Sequence, residues 1–225
     1  MSEAPDDLTP KDMTLDEIRA LLAPLLARHA AFDGWRPKAV AMAAQDKGVD
    51  GDIAALAFAD GPVDMIDAWF ASIDARMIGA LPEGFAALSI RRKIIALVEA
   101  RLTLLAPDRE ALRRAIAILA LPTNAVRAGK LAWRAADAMW RAAGDTAVDF
   151  NHYSKRTTLT AVYASTLLVF VDDESEGHAD SRAFLARRVE NVMQFEKAKA
   201  KLKGVGGGEH LSLSRFIGRL RYPAI

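Results

Sequence analysis

The sequence predicts an all-α protein, and three observations carry that reading. Apolar residues recur three and four positions apart along most of the chain, the spacing that lines one face of a helix. Nothing alternates convincingly with the period of two that marks a half-buried strand. Ala, Leu and Arg, all strong helix formers, dominate the composition. At 225 residues and 52% hydrophobic, the chain suits one sizeable domain, or a small one fused to a medium one, with enough apolar mass for a substantial core.

The elements come in order along the chain. Thr14 with Glu17 has the pattern of a capping box and opens a helix to about Ala31, with Leu15, Ile18, Leu22, Leu25 and Leu26 as its inner stripe. Gly34 in "FDGW" ends it, and Pro37 opens a second helix to about Lys47. Gly48 and Gly51 bracket a turn before a short element at 52–58. "DGP" at 60–62 starts a fourth helix containing Met65, Ile66, Trp69 and Phe70. Further helices are predicted near 73–80, 84–105, 108–120, 124–143, 147–172 and 178–203. Pro107 and Pro122 separate three of these, and Gly144 reads as a C-cap. "KGVGGGEH" (203–210) has linker composition. Beyond it, Leu213, Phe216, Ile217 and Leu220 share one helical face, with Arg215, Arg219 and Arg221 mostly elsewhere. The expected organisation is a disordered 1–13, a helix-turn-helix-like part at 14–75, a larger helical domain at 76–203, and a linker with an amphipathic basic tail at 204–225.

Charge narrows the partners. The chain carries 30 basic and 29 acidic residues, so global charge does not mark a nucleic-acid binder. Residues 1–60 hold 6 basic against 11 acidic residues, whereas 181–225 hold 10 against 3. The tail is where an anionic surface would be met. The helix-turn-helix rhythm of the first part suggests a DNA reader. Residues 50–64, however, carry Asp50, Asp52, Asp60 and Asp64 and no Lys or Arg, which repels a polyanion. Without cysteine there are no disulfides, no Cys-based zinc sites and no thiol chemistry. "MSEAPDDLTPKD" is acidic and polar, unlike a signal or transit peptide. The apolar run 157–171 would make a helix of about 22 Å, short of the roughly 30 Å hydrocarbon core. A soluble protein is expected, with membrane contact limited to its periphery.

The stretch "MWRAAGDTAVDFNHYSKR" (139–156) gathers Asp145, Asp149, Asn151, His152, Tyr153, Lys155 and Arg156 inside an apolar region. It can be a catalytic centre, a contact surface or a polar helix start. No Glu-x-x-His occurs, as helical di-iron sites need, and there is no P-loop, nucleophile elbow or Gly-rich dinucleotide fingerprint. In the structural reading, Asp145 or Thr146 caps the new helix and Asp149 pairs with Lys155 or Arg156, or with a neighbouring helix. His152 and Tyr153 fit that reading less easily and suit an exposed contact. The helices at 84–105, 108–120 and 157–171 offer strongly apolar faces, most of which are core in any protein. The candidate ligand-facing residues are Ile94, Val98, Leu102, Leu112, Ile116, Leu119, Leu159, Val162, Tyr163 and Leu167.

Residues 137–173, with "AFLARRVENVM" (183–193), "FDGW" (32–35), "FADGP" (58–62) and "LALP" (119–122), closely resemble the ubiquinone (coenzyme Q) biosynthesis accessory family Coq nine. The resemblance implies a TetR-like fold, commonly as a homodimer, and a protein that is not an enzyme and uses no cofactor. It implies that an isoprenoid quinone intermediate or other lipid binds in an apolar pocket of the larger domain. It also implies presentation of that lipid to the di-iron demethoxyubiquinone hydroxylase or another enzyme of the pathway. By the same resemblance, Met139, Trp140, His152 and Tyr153 form the partner-binding patch. Eukaryotic members tend to carry Trp where this chain has His152, so a difference in detail is expected in the partner's matching surface. The tail, through Arg215, Phe216, Ile217, Arg219 and Leu220, is expected to reach the membrane, giving a cytoplasmic protein peripherally associated with the inner membrane. Nucleic acid is not expected as a partner. The competing reading is a TetR-like ligand-sensing transcriptional regulator.

Overall fold

The structure is a computed structural model that describes Pro10 and residues 12–145 and 150–205; at 150, 151 and 196–205 the backbone alone is described. Among the described residues every regular element is helical. The chain divides into two compact units, Met1–Ala186 and Arg187–Ile225.

The first helix, α1 (Leu15–Asp33), starts as its sequence dictates. The Thr14 hydroxyl accepts from the Glu17 N–H, and Glu17 Oε2 accepts from the Thr14 N–H at 2.8 Å. Two of the orphan donors at the helix start are thereby satisfied reciprocally. Ile18, Leu22 and Leu26 of the expected stripe are buried, but Leu15 is exposed, because it lies in the first turn beyond the reach of the core. Gly34, at φ 76°, ends the helix in a conformation that other residues resist. Helix α2 (Pro37–Lys47) ends at Gly48 in the left-handed region. Asp50 then caps α3 (Gly51–Ala57) by accepting from the N–H groups of Asp52 and Ile53.

Helix α4 (Pro62–Met77) absorbs most of the separate helix expected at 73–80. Ile73 and Met77 continue its buried face without a break, and only residues 78–80 tighten into a 3-10 turn. The helix expected at 84–105 begins later, at α5 (Ile90–Leu105). Gly84 takes positive φ, residues 85–87 form a second 3-10 turn, and Leu88 is extended. Next come α6 (Arg109–Leu119), α7 (Ala125–Ala142), α8 (Phe150–Phe170) and α9 (Ala179–Val205).

The first three helices and α4 share a core with α6. Trp35 is buried against Trp69 of α4 with ring centroids 5.3 Å apart, and its indole N–H donates to Ala111 O of α6 at 3.0 Å. Each such side chain, fully buried, contributes roughly 1.5–3 kcal/mol. Helix α6 rests mainly on α1 and α4, whereas α8 packs along α7 and touches α5. At the far end of α8, Asp173 gathers four donors: the backbone N–H and hydroxyl of both Ser175 and Ser181, at 2.5–2.9 Å. That turn fixes where α9 begins.

Candidate functional site

The polar stretch sits where α7 ends and α8 begins. Gly144, at φ 92°, lets the chain leave α7, and the Asp145 N–H reaches back to Trp140 O at 3.0 Å, a Schellman-type stop. This returns Asp145 to face Arg156, two turns into α8. Arg156 is almost fully buried. Its Nε donates to Asp137 Oδ1 at 2.6 Å, and its Nη1 to Asp145 Oδ2 at 3.1 Å and His152 O at 3.3 Å. Lys155 Nζ holds the other Asp145 oxygen at 2.7 Å, and Arg141 Nε the other Asp137 oxygen at 2.8 Å. Burial pushes the Asp145 carboxyl up, but the hydrogen bonds and charges of Lys155 and Arg156 outweigh it and hold it below the ordinary carboxylate range. A carboxylate so held is a poor proton donor or base at neutral pH. Asp145 therefore has a frame role. The expected partner Asp149 and the alternative cap Thr146 lie outside the described residues; among the described residues Lys155 and Arg156 pair with Asp145 and Asp137.

On this frame sits an aromatic surface. Trp140 is half-buried, its indole N–H donating to Lys155 O at 3.1 Å while Lys155 Nζ lies 5.2 Å from its ring centre. Tyr153 is 61% exposed, edge-on to His152 at 5.2 Å and 6.1 Å from Trp133. Met139, expected on the contact surface, is fully buried. Buried in the core, it presents no surface to a partner. Trp133 does not stand out in the sequence. Its position one and a half turns before Met139 hides it among the residues of α7, and only the fold of α8 back onto α7 brings it to Tyr153.

Seven of the ten ligand-facing candidates lie on α5 and α8. Ile94, Val98, Leu102, Leu159, Val162, Tyr163 and Leu167 are all buried there. The other three, Leu112, Ile116 and Leu119, are on α6; Leu112 is buried and the other two are half-buried. Helix α6 rests mainly on α1 and α4 and meets the end of α8 through Arg109, whose guanidinium carbon lies 5.8 Å from the Phe170 ring centre. The described open groove, of about 490 Å³, is elsewhere and is lined by none of the ten. It runs between α1 and α4, floored by Ala20, Pro24, Ala68, Ala71 and Ala75, with Arg134 of α7 at its edge.

Beside the α5–α8 group is a buried charge cluster that periodicity did not reveal. Arg101 is fully buried, ion-paired to Asp74 of α4, and its guanidinium carbon lies 4.9 Å from the centre of the Tyr163 ring. Arg134 bridges Asp74 (3.2 Å) and Asp67. Burial pushes the Tyr163 phenol up, the charge of Arg101 pulling against it. The signal for this cluster is an arginine at a position of α5 where the spacing of Ile94, Val98 and Leu102 calls for an apolar residue.

The N-terminal acids also find partners. Arg19 clasps Asp64 through two bonds at 2.5 and 2.6 Å, and its Nη1 donates to Ala57 O. Asp64 is therefore neutralised and Asp50 is spent as a cap, which leaves Asp52 and Asp60 as the free acidic face of 50–64. The region still presents no cation among those residues. Among the described residues no group of three His, Asp or Glu could hold a metal ion, and no helix is long and apolar enough to cross a membrane. Arg215, Phe216, Ile217, Arg219 and Leu220 lie outside the described residues.

A helical bundle whose first three helices, the second and third of them short, join a larger α-helical body is the architecture of TetR-like proteins. A TetR transcriptional regulator from Nitrosomonas europaea ATCC 19718 superposes with a TM-score of 0.58 at 27% identity, covering 78% of this chain and 96% of the regulator. Residues 125–196, which include the framed aromatic patch, match the COQ9 family model, and the chain is similar to COQ9 proteins beyond that segment. The human ubiquinone biosynthesis protein COQ9, mitochondrial, is 32% identical over 181 residues, which is 77% of this chain and 57% of the human protein. The Drosophila melanogaster protein of the same name is 25% identical over 209 residues, or 91% of this chain and 64% of the fly protein. The chain thus spans less than two thirds of the length of these curated relatives.

Proposed function

We propose that this chain is a non-catalytic accessory protein of ubiquinone biosynthesis that binds an isoprenoid quinone-type lipid and presents it, at a membrane surface, to a hydroxylase partner. The observation that carries the reading is the aromatic patch on its frame of paired charges. Asp137, Asp145, Lys155 and Arg156 are satisfied by one another, and what they hold outward is Tyr153 with His152, Trp133 and the edge of Trp140. Rigid aromatic side chains set on a fixed support are what a protein interface uses for affinity. The similarity of residues 125–196 to the COQ9 family supports the same assignment. The relatives' place in ubiquinone biosynthesis supplies the pathway, and the demethoxyubiquinone hydroxylase is the partner we propose for the patch.

The lipid seat is assigned to the apolar faces of α5 and α8, where Ile94, Val98, Leu102, Leu159, Val162, Tyr163 and Leu167 are all buried. These side chains are closely packed, so a ligand enters by parting α5 from α8. The presenting form is a peripheral membrane protein and a homodimer. The regulator reading takes its support from the TetR-like neighbour. It is the weaker reading, because residues 50–64 offer a nucleic-acid backbone two free acids and no cation.

The test is native mass spectrometry of the purified protein with lipid analysis of an organic extract. Near-stoichiometric isoprenoid quinone intermediates are expected. A clean apo protein that also rejects added quinone overturns the lipid role. Retardation of DNA fragments at low salt would favour the regulator instead.

A further inference from the structure

The α4–α5 connection gathers apolar surface that the proposed function does not use. Ile78 is 57% and Ile90 50% exposed, and Leu81, Phe85 and Leu88 lie half-buried between them. The connection is built from the two 3-10 turns, both packed on α5, which hold these side chains at one end of the α4–α5 pair. Its backbone closes on itself: Leu81 N–H donates to Ile78 O, Phe85 to Pro82 O, Ala87 to Gly84 O and Leu88 to Phe85 O. A loop whose polar groups are satisfied locally can sit at the acyl boundary of a bilayer at low cost.

Charge selects the occupant. Ile90 is followed at once by Arg91, Arg92 and Lys93, against Glu83 as the single acid of 78–93. Arg91 and Arg92 are exposed. Lys93 lays its ammonium 5.7 Å from the Phe85 ring centre, so its stem covers apolar surface while its charge stays at the rim. Exposed aliphatic residues rimmed by consecutive cations match an anionic bilayer, in which chains take the apolar tips and headgroups take the cations.

We propose that residues 78–93 form a membrane-docking face for an anionic bilayer surface, separate from the C-terminal tail. The proposal rests on the reading that the chain handles a bilayer lipid, and it adds where that lipid is met. Lys93 Nζ donates to Ala143 O at 3.4 Å, which fastens this face to the end of α7 beside Trp140 and Asp145. Docking through 78–93 therefore brings the aromatic patch to the bilayer, where a membrane-bound partner can reach it.

The chain has no cysteine, so single introduced thiols can be labelled uniquely. Ile78→Cys, Ile90→Cys and, as an exposed apolar control on α1, Phe32→Cys in the full chain each carry an environment-sensitive fluorophore. They are titrated with phosphatidylcholine vesicles, with and without phosphatidylglycerol. Labels at 78 and 90 are expected to brighten about twofold or more and shift to the blue with the anionic vesicles only, while the label at 32 stays unchanged. Arg92→Glu in the Ile90→Cys chain is expected to weaken vesicle binding about fivefold or more. Vesicle binding with silent labels at 78 and 90 overturns the proposal, as does the absence of vesicle binding. Labels that respond to a partner protein but not to vesicles also overturn it and make this face a protein interface. A chain that inserts positions 78 and 90 yet carries and accepts no isoprenoid sinks the presentation reading and leaves the docking face standing.

Discussion

Arg156 of α8 sets its Nε 2.6 Å from Asp137 Oδ1 of α7, inside the bundle and directly beneath the aromatic patch. The pair is a clamp between the two helices that carry Trp133, Trp140, His152 and Tyr153. Removing one partner of a buried pair costs about 3–5 kcal/mol, because the other charge is left without compensation. Here Asp137 keeps Arg141 and Asp145 keeps Lys155, which places Arg156→Met at the lower end. A loss of about 3 kcal/mol corresponds to a fall in melting temperature of roughly 6–12 °C for a chain of this size. Thermal unfolding followed by circular dichroism measures it, and an unchanged midpoint would remove Arg156 from the frame.

Two carboxylates make the fold sensitive to acid. Burial pushes Asp173 up, but its four serine donors outweigh this and hold it well below the usual range; Asp145 is lowered by Lys155 and Arg156 against the same opposition. In the unfolded chain an aspartate titrates near about 3.9. A group whose folded pKa is depressed contributes stability in full above that value, and the contribution is lost as pH falls through the folded pKa. The melting temperature should therefore decline from about pH 4 downward, and Asp173→Asn should flatten the decline while lowering the plateau. Equal slopes for the two proteins between pH 5 and pH 2, on melting scans, would show that Asp173 is not part of it.

Within the contact patch, burial separates two residues that the sequence placed together. Met139 is fully buried and Tyr153 largely exposed. Met139→Ala should cost about 2–5 kcal/mol of stability. Tyr153→Ala should leave stability within about 0.5 kcal/mol and weaken partner binding roughly thirtyfold, the effect of losing an aromatic anchor. Urea unfolding and calorimetric titration with the proposed hydroxylase partner read the two quantities apart. A Tyr153→Ala protein that binds normally would move the partner surface off this patch.

These differences arise from the limits of a one-dimensional pattern. Thr14 with Glu17, Pro37, Gly48, Gly144 and Pro62 act within a few residues, so the helix ends they set were readable in the sequence. The boundary at Ile90 was not, because "FAALSIRRK" keeps helical spacing and the break comes from Gly84 and the extended Leu88. Tyr153 was readable as an unusual residue in an apolar region, whereas Trp140 stood out only through the family resemblance. Met139's burial, the approach of Trp133 to Tyr153 and the Arg19–Asp64 clasp each depend on which helix returns against which, and spacing along one helix does not encode that.

The same limit hid Arg101 and Asp74, and their arrangement makes an asymmetric prediction. Arg101 has no exit to solvent, pairs with Asp74, and leaves its Nε without a hydrogen-bond partner. Asp74, by contrast, is also held by Arg134, which in turn holds Asp67. Asp74→Ala strands a buried guanidinium beneath the Tyr163 ring and should cost about 3–5 kcal/mol. Arg101→Met removes a group that is already incompletely satisfied, fills its volume with an apolar chain, and leaves Asp74 with Arg134. It should cost less than about 2 kcal/mol. In the double variant no buried charge is stranded, so its stability should lie near that of Arg101→Met, well above the sum of the single losses. Urea unfolding of the four proteins closes this cycle. Equal single losses, or losses that simply add, would mean that Asp74 stabilises the fold through Arg134 alone and that Arg101 is held by its packing against Tyr163.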